Sequence, residues 1–114
     1  MSPVEVQRGV CQEYGAEYLA TGEQLKVGLS SSVIEGQRPL HGVRHLPKGD
    51  TSGWYIWAGE YSISEEFFQP VHVGHLEKWQ PILNRYLGLA PGWRFLLVPE
   101  EGYTDVWFDP SVLV

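Results

Sequence analysis

At 114 residues the chain has room for a single domain spanning 1–114, large enough to bury roughly two thirds of the surface its unfolded form would expose. One cysteine, Cys11, excludes an internal disulfide, no apolar run reaches membrane-spanning length, and Met1-Ser2-Pro3 is too short and polar for a targeting segment, so the expected setting is cytoplasmic, away from membranes. Fourteen acidic against eight basic residues leave a formal charge of −6, which repels a nucleic-acid backbone on average and attracts a basic protein partner.

From the N-terminus, Val4 to Tyr14 reads as a helix: Val4, Val10, Cys11, Tyr14 and Tyr18 fall on one side, Glu5, Arg8, Gln12 and Glu13 on the other, and Gly15 supplies a left-handed stop. Cys11 sits at the edge of the apolar face, where a buried inert thiol is expected rather than a nucleophile. Lys26 to Val33 reads as a strand, and so does Leu40 to Leu46, with His41, Val43 and His45 sharing one face. Pro47-Lys48-Gly49-Asp50 marks a turn.

The stretch Thr51 to Gln69 is dense in aromatic residues: Trp54, Tyr55, Trp57, Tyr61, Phe67 and Phe68. Trp54 to Gly59 reads as a strand that is central or covered on both sides. Ser62-Ile63-Ser64-Glu65 has the spacing of a capping box, predicting a short helical turn through Phe67-Phe68 that Pro70 ends. His75 to Leu87 predicts a helix with Leu76, Trp79, Ile82, Leu83, Tyr86 and Leu87 on one arc and Pro81 on the polar arc, closed by Gly88. Trp93 to Val98 and Thr104 to Asp109 predict a hairpin around Glu100-Glu101-Gly102. The connections predict an α+β fold: an antiparallel sheet of about five strands with two main helices packed on one face.

No strong catalytic motif emerges. His41 and His45 would lie about 13 Å apart along a strand, too far to share one metal ion. His72 and His75 flank Gly74 with no second ligand pair, so no metal or cofactor is expected. A hydrolase reading would pair Glu60, Glu65 or Glu66 with His45, His72 or His75, and requires a cleft that shifts their pKa values. Most of the tryptophans belong in the core by default. A sheet covered on one face only would nevertheless expose a subset that includes Trp57 and Trp107, and exposed aromatics beside carboxylates describe a binding surface.

Four segments carry a resemblance to a known family: CQEYGAE from Cys11 to Glu17, GVRHLPKGDTSGWYIW from Gly42 to Trp57, AGEYSISEEFFQPVHVGHL from Ala58 to Leu76, and PGWRFLLVPEEGYTDVWFD from Pro91 to Asp109. In this order they resemble the immunity protein thirty-three family of bacterial polymorphic-toxin systems. The resemblance implies a protein that neutralises a cognate toxin, often a nuclease, encoded beside it, and it brings no catalytic residues with it. The partner-binding set expected on this basis is Trp57 and Trp107 as aromatic anchors, flanked by Glu60, Glu65, Glu66, Asp105 and Asp109. Within the stretch Thr51 to Gln69, Trp54 to Gly59 is expected to be mainly structural and the acidic turn from Glu60 to Glu66 to meet the partner. The competing readings are a stand-alone housekeeping domain that acts as a homodimeric regulatory module, or a His/Glu hydrolase. Monomer and homodimer both remain open.

Overall fold

The computed structural model describes residues 2–114, and among these six strands form one mixed sheet. The strands are β1 (Lys26–Leu29), β2 (Leu40–Arg44), β3 (Thr51–Ala58), β4 (Gln69–His72), β5 (Trp93–Val98) and β6 (Tyr103–Phe108), in the spatial order β4-β1-β3-β2-β5-β6. The α+β class holds, while the expected five antiparallel strands become six with one parallel pair, β1 and β3. The connection between them holds a short helix, Ser31–Ile34, and the whole of β2. The chain leaves β1, forms β2 two positions away, and doubles back through Lys48–Asp50 so that β3 fills the gap between them.

The predicted N-terminal helix forms as α1 (Pro3–Tyr14): the Ser2 hydroxyl accepts the Glu5 amide, Pro3 sits in the first turn, and Gly15 closes the helix at φ 70°. Val10 and Cys11 are buried as its periodicity requires, whereas Val4 is exposed. The Cys11 thiol donates to the Gly88 carbonyl, and burial pushes its pKa up, so this side chain is an inert part of the core. The strand expected over Lys26–Val33 stops at Leu29, and Ser31–Ile34 turns into a short helix, α2. There the Ser32 hydroxyl accepts the Ala58 amide and ties α2 to the end of β3.

Two expected helical segments take other forms. In place of one helix from His75 to Leu87, the chain makes two 3-10 segments, Val73–Lys78 and Pro81–Tyr86. Pro81 forces the break, because a residue preceding proline is sterically excluded from helical geometry and Gln80 sits at φ −143°, ψ 79°. The apolar pattern still finds the core: Leu76, Leu83, Tyr86 and Leu87 are buried, with Trp79 and Ile82 packed against them. The capping box at Ser62 does not form either. The Ser62 hydroxyl accepts the Ser64 amide and the Ser64 hydroxyl accepts the Glu66 amide, giving a string of local turns that compete with helix. The chain then enters β4, a strand the sequence reading did not anticipate. Pro70 is tolerated there because β4 is an edge strand, bonded only to β1.

The core lies on one face of the sheet. Trp54, Ile56 and Ala58 of β3, Leu40 of β2, and Phe95 and Leu97 of β5 point into it and are at most 1 % exposed, covered by α1, α2 and the two 3-10 segments. Gly42 lets the Phe95 ring lie on β2, where an added Cβ would come within 2.1 Å of it. Arg44 occupies the same face and is 1 % exposed, with no carboxylate partner among the described residues. Instead its guanidinium donates to the carbonyls of Ser52, Leu19, Leu87 and Leu89, gathering β3 and two loops around one cation. Desolvation lowers its pKa to about 10, which leaves it charged at neutral pH.

Candidate functional site

Side chains alternate across a strand, so the residues between the core positions emerge on the opposite face. Strand register sets them in two rows. One runs Gly28, Tyr55, Val43, Arg94, Trp107 from β1 to β6, and the next runs Trp57, His41, Leu96, Asp105. The elements that cover the core, α1, α2 and the 3-10 segments Val73–Lys78 and Pro81–Tyr86, all lie on the other face. Tyr55 is 38 % exposed and Trp57 half-buried, against 1 % for Trp54 and 0 % for Ile56 on the core face. The expectation that β3 is a structural strand therefore holds for one parity of its residues only.

The loop that follows β3 covers part of this face. Gly59, at φ 70°, turns the chain, and Tyr61, Phe67 and Phe68 fold back beside β3. Phe68 meets Tyr55 at a ring separation of 5.2 Å and Trp57 at 6.1 Å, and Tyr61 meets Trp57 at 5.3 Å, each pair nearly perpendicular. Gly28 makes room for this: a Cβ on it would lie 2.6 Å from the Tyr55 ring and 3.4 Å from the Phe68 Cβ. On the other side Trp57 stacks flat on His41, with 4.9 Å between ring centres. Burial, followed by the nearby Arg94 charge, lowers the His41 pKa, so this imidazole is neutral at physiological pH. The result is an open concavity of about 250 Å³ lined by Val43, His45, Tyr55, Trp57, Tyr61 and Phe68.

The expected partner-binding residues do not form one cluster. Trp57, Asp105 and Trp107 share the open face, with Trp57 and Trp107 separated by three strand spacings, about 14 Å of sheet. Glu60, Glu65 and Glu66 are exposed on the loop after β3, and none of them forms an ion pair among the described residues. Asp109 is differently placed. It accepts from the Ser111 amide and hydroxyl and pairs with Arg94 at 3.1 Å, and these contacts hold its carboxyl below the usual range, the Ser111 bonds contributing most. Arg94 in turn lies over the Trp107 ring at 5.4 Å, so Asp109 acts on this face through Arg94.

Tyr55, Tyr61, Phe68 and His41 belong to the site although the sequence reading did not select them. The parity of β2 and β3 carried the signal for His41 and Tyr55, whereas Phe68 was hidden by assignment to a helical turn. Among the described residues no histidine joins an ion pair with a carboxylate, and no three of His, Cys, Asp and Glu converge on a common point. No helix of the described chain is long and apolar enough to cross a membrane.

The family model for the Imm33-like domain matches residues 6–109, spanning every strand of the sheet and most of α1. No curated protein and no solved structure matches the chain.

Proposed function

The chain belongs to the Imm33-like domain family, and from this membership we propose that it binds and neutralises a cognate toxin protein in a bacterial polymorphic-toxin system by covering the toxin's active site. The observation that carries the proposal is the sheet face opposite the core, where Tyr55, Trp57 and Tyr61 remain accessible around an open concavity. Contiguous exposed aromatic surface of this kind is uncommon on a chain with no partner. Large flat rings also give much contact area for little lost conformational entropy.

In this reading Trp57 and Trp107 are the anchors and set the dissociation rate, while Glu60, Glu65, Glu66 and Asp105 form a rim that speeds association. Asp109 positions Arg94 over Trp107. A nuclease is a fitting target, because its basic cleft complements a chain of formal charge −6.

Co-expression with the product of the adjacent reading frame tests the proposal: the chain should restore growth that this product suppresses. Replacing Glu65 and Glu66 by Lys should slow association roughly tenfold at low salt and leave dissociation unchanged. Growth that is not restored, or unchanged association kinetics, counts against the proposal. A homodimer in solution that shields Trp57 from quenching would mean that a second copy covers this face.

A further inference from the structure

We infer that the concavity beside β3 is an aromatic cage that takes a single cationic side chain, lysine or arginine, from the protein partner; the inference rests on the docking reading above and names the chemistry of its central contact. Four aromatic rings, Tyr55, Trp57, Tyr61 and Phe68, line one opening. Tyr55 and Phe68 meet at 74°, Trp57 and Phe68 at 76°, and Trp57 and Tyr61 at 76°, so the rings stand as adjoining walls instead of stacking shut. The faces of such rings carry the negative lobe of the aromatic quadrupole, and a cation enclosed by several of them is attracted by each.

Charge along the chain points the same way. Between Lys48 and Lys78 there is no lysine or arginine, against Asp50, Glu60, Glu65, Glu66 and Glu77. The loop that supplies Tyr61 and Phe68 is thus free of lysine and arginine and bears three carboxylates with no ion-pair partner among the described residues. The same sheet face already makes one contact of this chemistry, Arg94 over Trp107. At about 250 Å³ the concavity has room for the end of one long side chain but not for a folded segment.

The test needs only the chain itself. Choline and its uncharged isostere 3,3-dimethylbutan-1-ol are titrated separately to about 50 mM at about pH 8, where imidazoles are neutral, and the Trp57 indole N–H is followed by NMR, its resonance identified with Trp57→Phe. The expected result is saturable choline binding in the millimolar range, roughly fivefold tighter than the neutral alcohol. Tyr61→Leu keeps an apolar wall but removes a π face, and should weaken choline with little effect on the alcohol. Tyr61 is 59 % exposed, which keeps the fold out of the comparison. Equal affinity for the two probes, no choline response, or choline binding indifferent to Tyr61→Leu each overturns the cage. Both probes report on the free chain, so a failed growth rescue leaves this result standing, and a failed titration leaves the rescue standing.

Discussion

Gly28 offers a direct way to deform the aromatic concavity without touching the core face. Its backbone is not in the left-handed region, so alanine there meets no conformational penalty, only the Tyr55 ring at 2.6 and 2.9 Å and the Phe68 Cβ at 3.4 Å. Carbon atoms normally rest about 3.5–4.0 Å apart, so the tyrosine ring must retreat by roughly 1 Å. It can do so, because it is 38 % exposed and borders open space. Gly28→Ala should therefore cost about 1 kcal/mol, the lower end of the overpacking range.

Gly42→Ala is the internal contrast. There the new methyl meets Phe95 at 2.1 Å, in a ring that is 1 % exposed and held between Trp54 and Tyr86 at 5.5 and 5.3 Å. With no direction of escape, the cost should reach about 3 kcal/mol or more. Urea unfolding of both variants, and of Gly28→Ala in a Tyr55→Ala background, completes the measurement. In that background the alanine at position 28 should be neutral or stabilising by up to about 1 kcal/mol, since it no longer collides and strand glycine is itself unfavourable. If Gly28→Ala costs the same with and without the Tyr55 ring, or costs more than Gly42→Ala, the steric reasoning fails. In the docking proposed above, Gly28→Ala should weaken affinity while leaving the far end of the sheet unchanged.

Arg44→Met removes a buried cation and strands the carbonyls of Ser52, Leu19, Leu87 and Leu89. Stability should fall by about 3–5 kcal/mol in urea unfolding, and a loss under about 1 kcal/mol would mean these carbonyls find other donors. Asp109 has a folded pKa below its ordinary value of 3.8, so its contribution is fully present above that value and is lost as pH falls through the folded pKa. Asp109→Asn should accordingly flatten the decline of Tm below about pH 4, and an unaltered decline would remove Asp109 from the acid-sensitive set. Cys11, 3 % exposed with a raised pKa, should resist iodoacetamide in the native chain at about pH 7.5 and react on unfolding. Rapid native labelling would show that α1 opens readily.

Elements stabilised by near neighbours were legible in the sequence. The Gly15 stop of α1, the β5–β6 pairing across Gly102 and the alternation of β2 and β3 are written in residues a few positions apart. Local signals misled at Ser62–Glu65 and at His75–Leu87. Serine hydroxyls bonded nearby amides in the first case, and Pro81 outweighed a clean helical periodicity in the second. Even so, the apolar residues of that second stretch reached the core, because burial depends on apolar character more than on helix type.

By itself, then, the sequence determined the α+β class, most of the strands and which parity of β3 shares a face with Ile56. Only the tertiary structure decided that β3 slots beside β1 in parallel, that a strand carrying Pro70 closes the edge, and that α1, α2 and the segments around Pro81 gather on one sheet face and leave Tyr55 exposed on the other. It also decided that Tyr61 and Phe68 meet Tyr55 and Trp57 around one concavity. Local propensity acts over a few residues and has no information about contacts between β1, β3 and the loop after it. Those contacts depend on the space that Gly28 leaves for two rings, which exists only once the strands are paired.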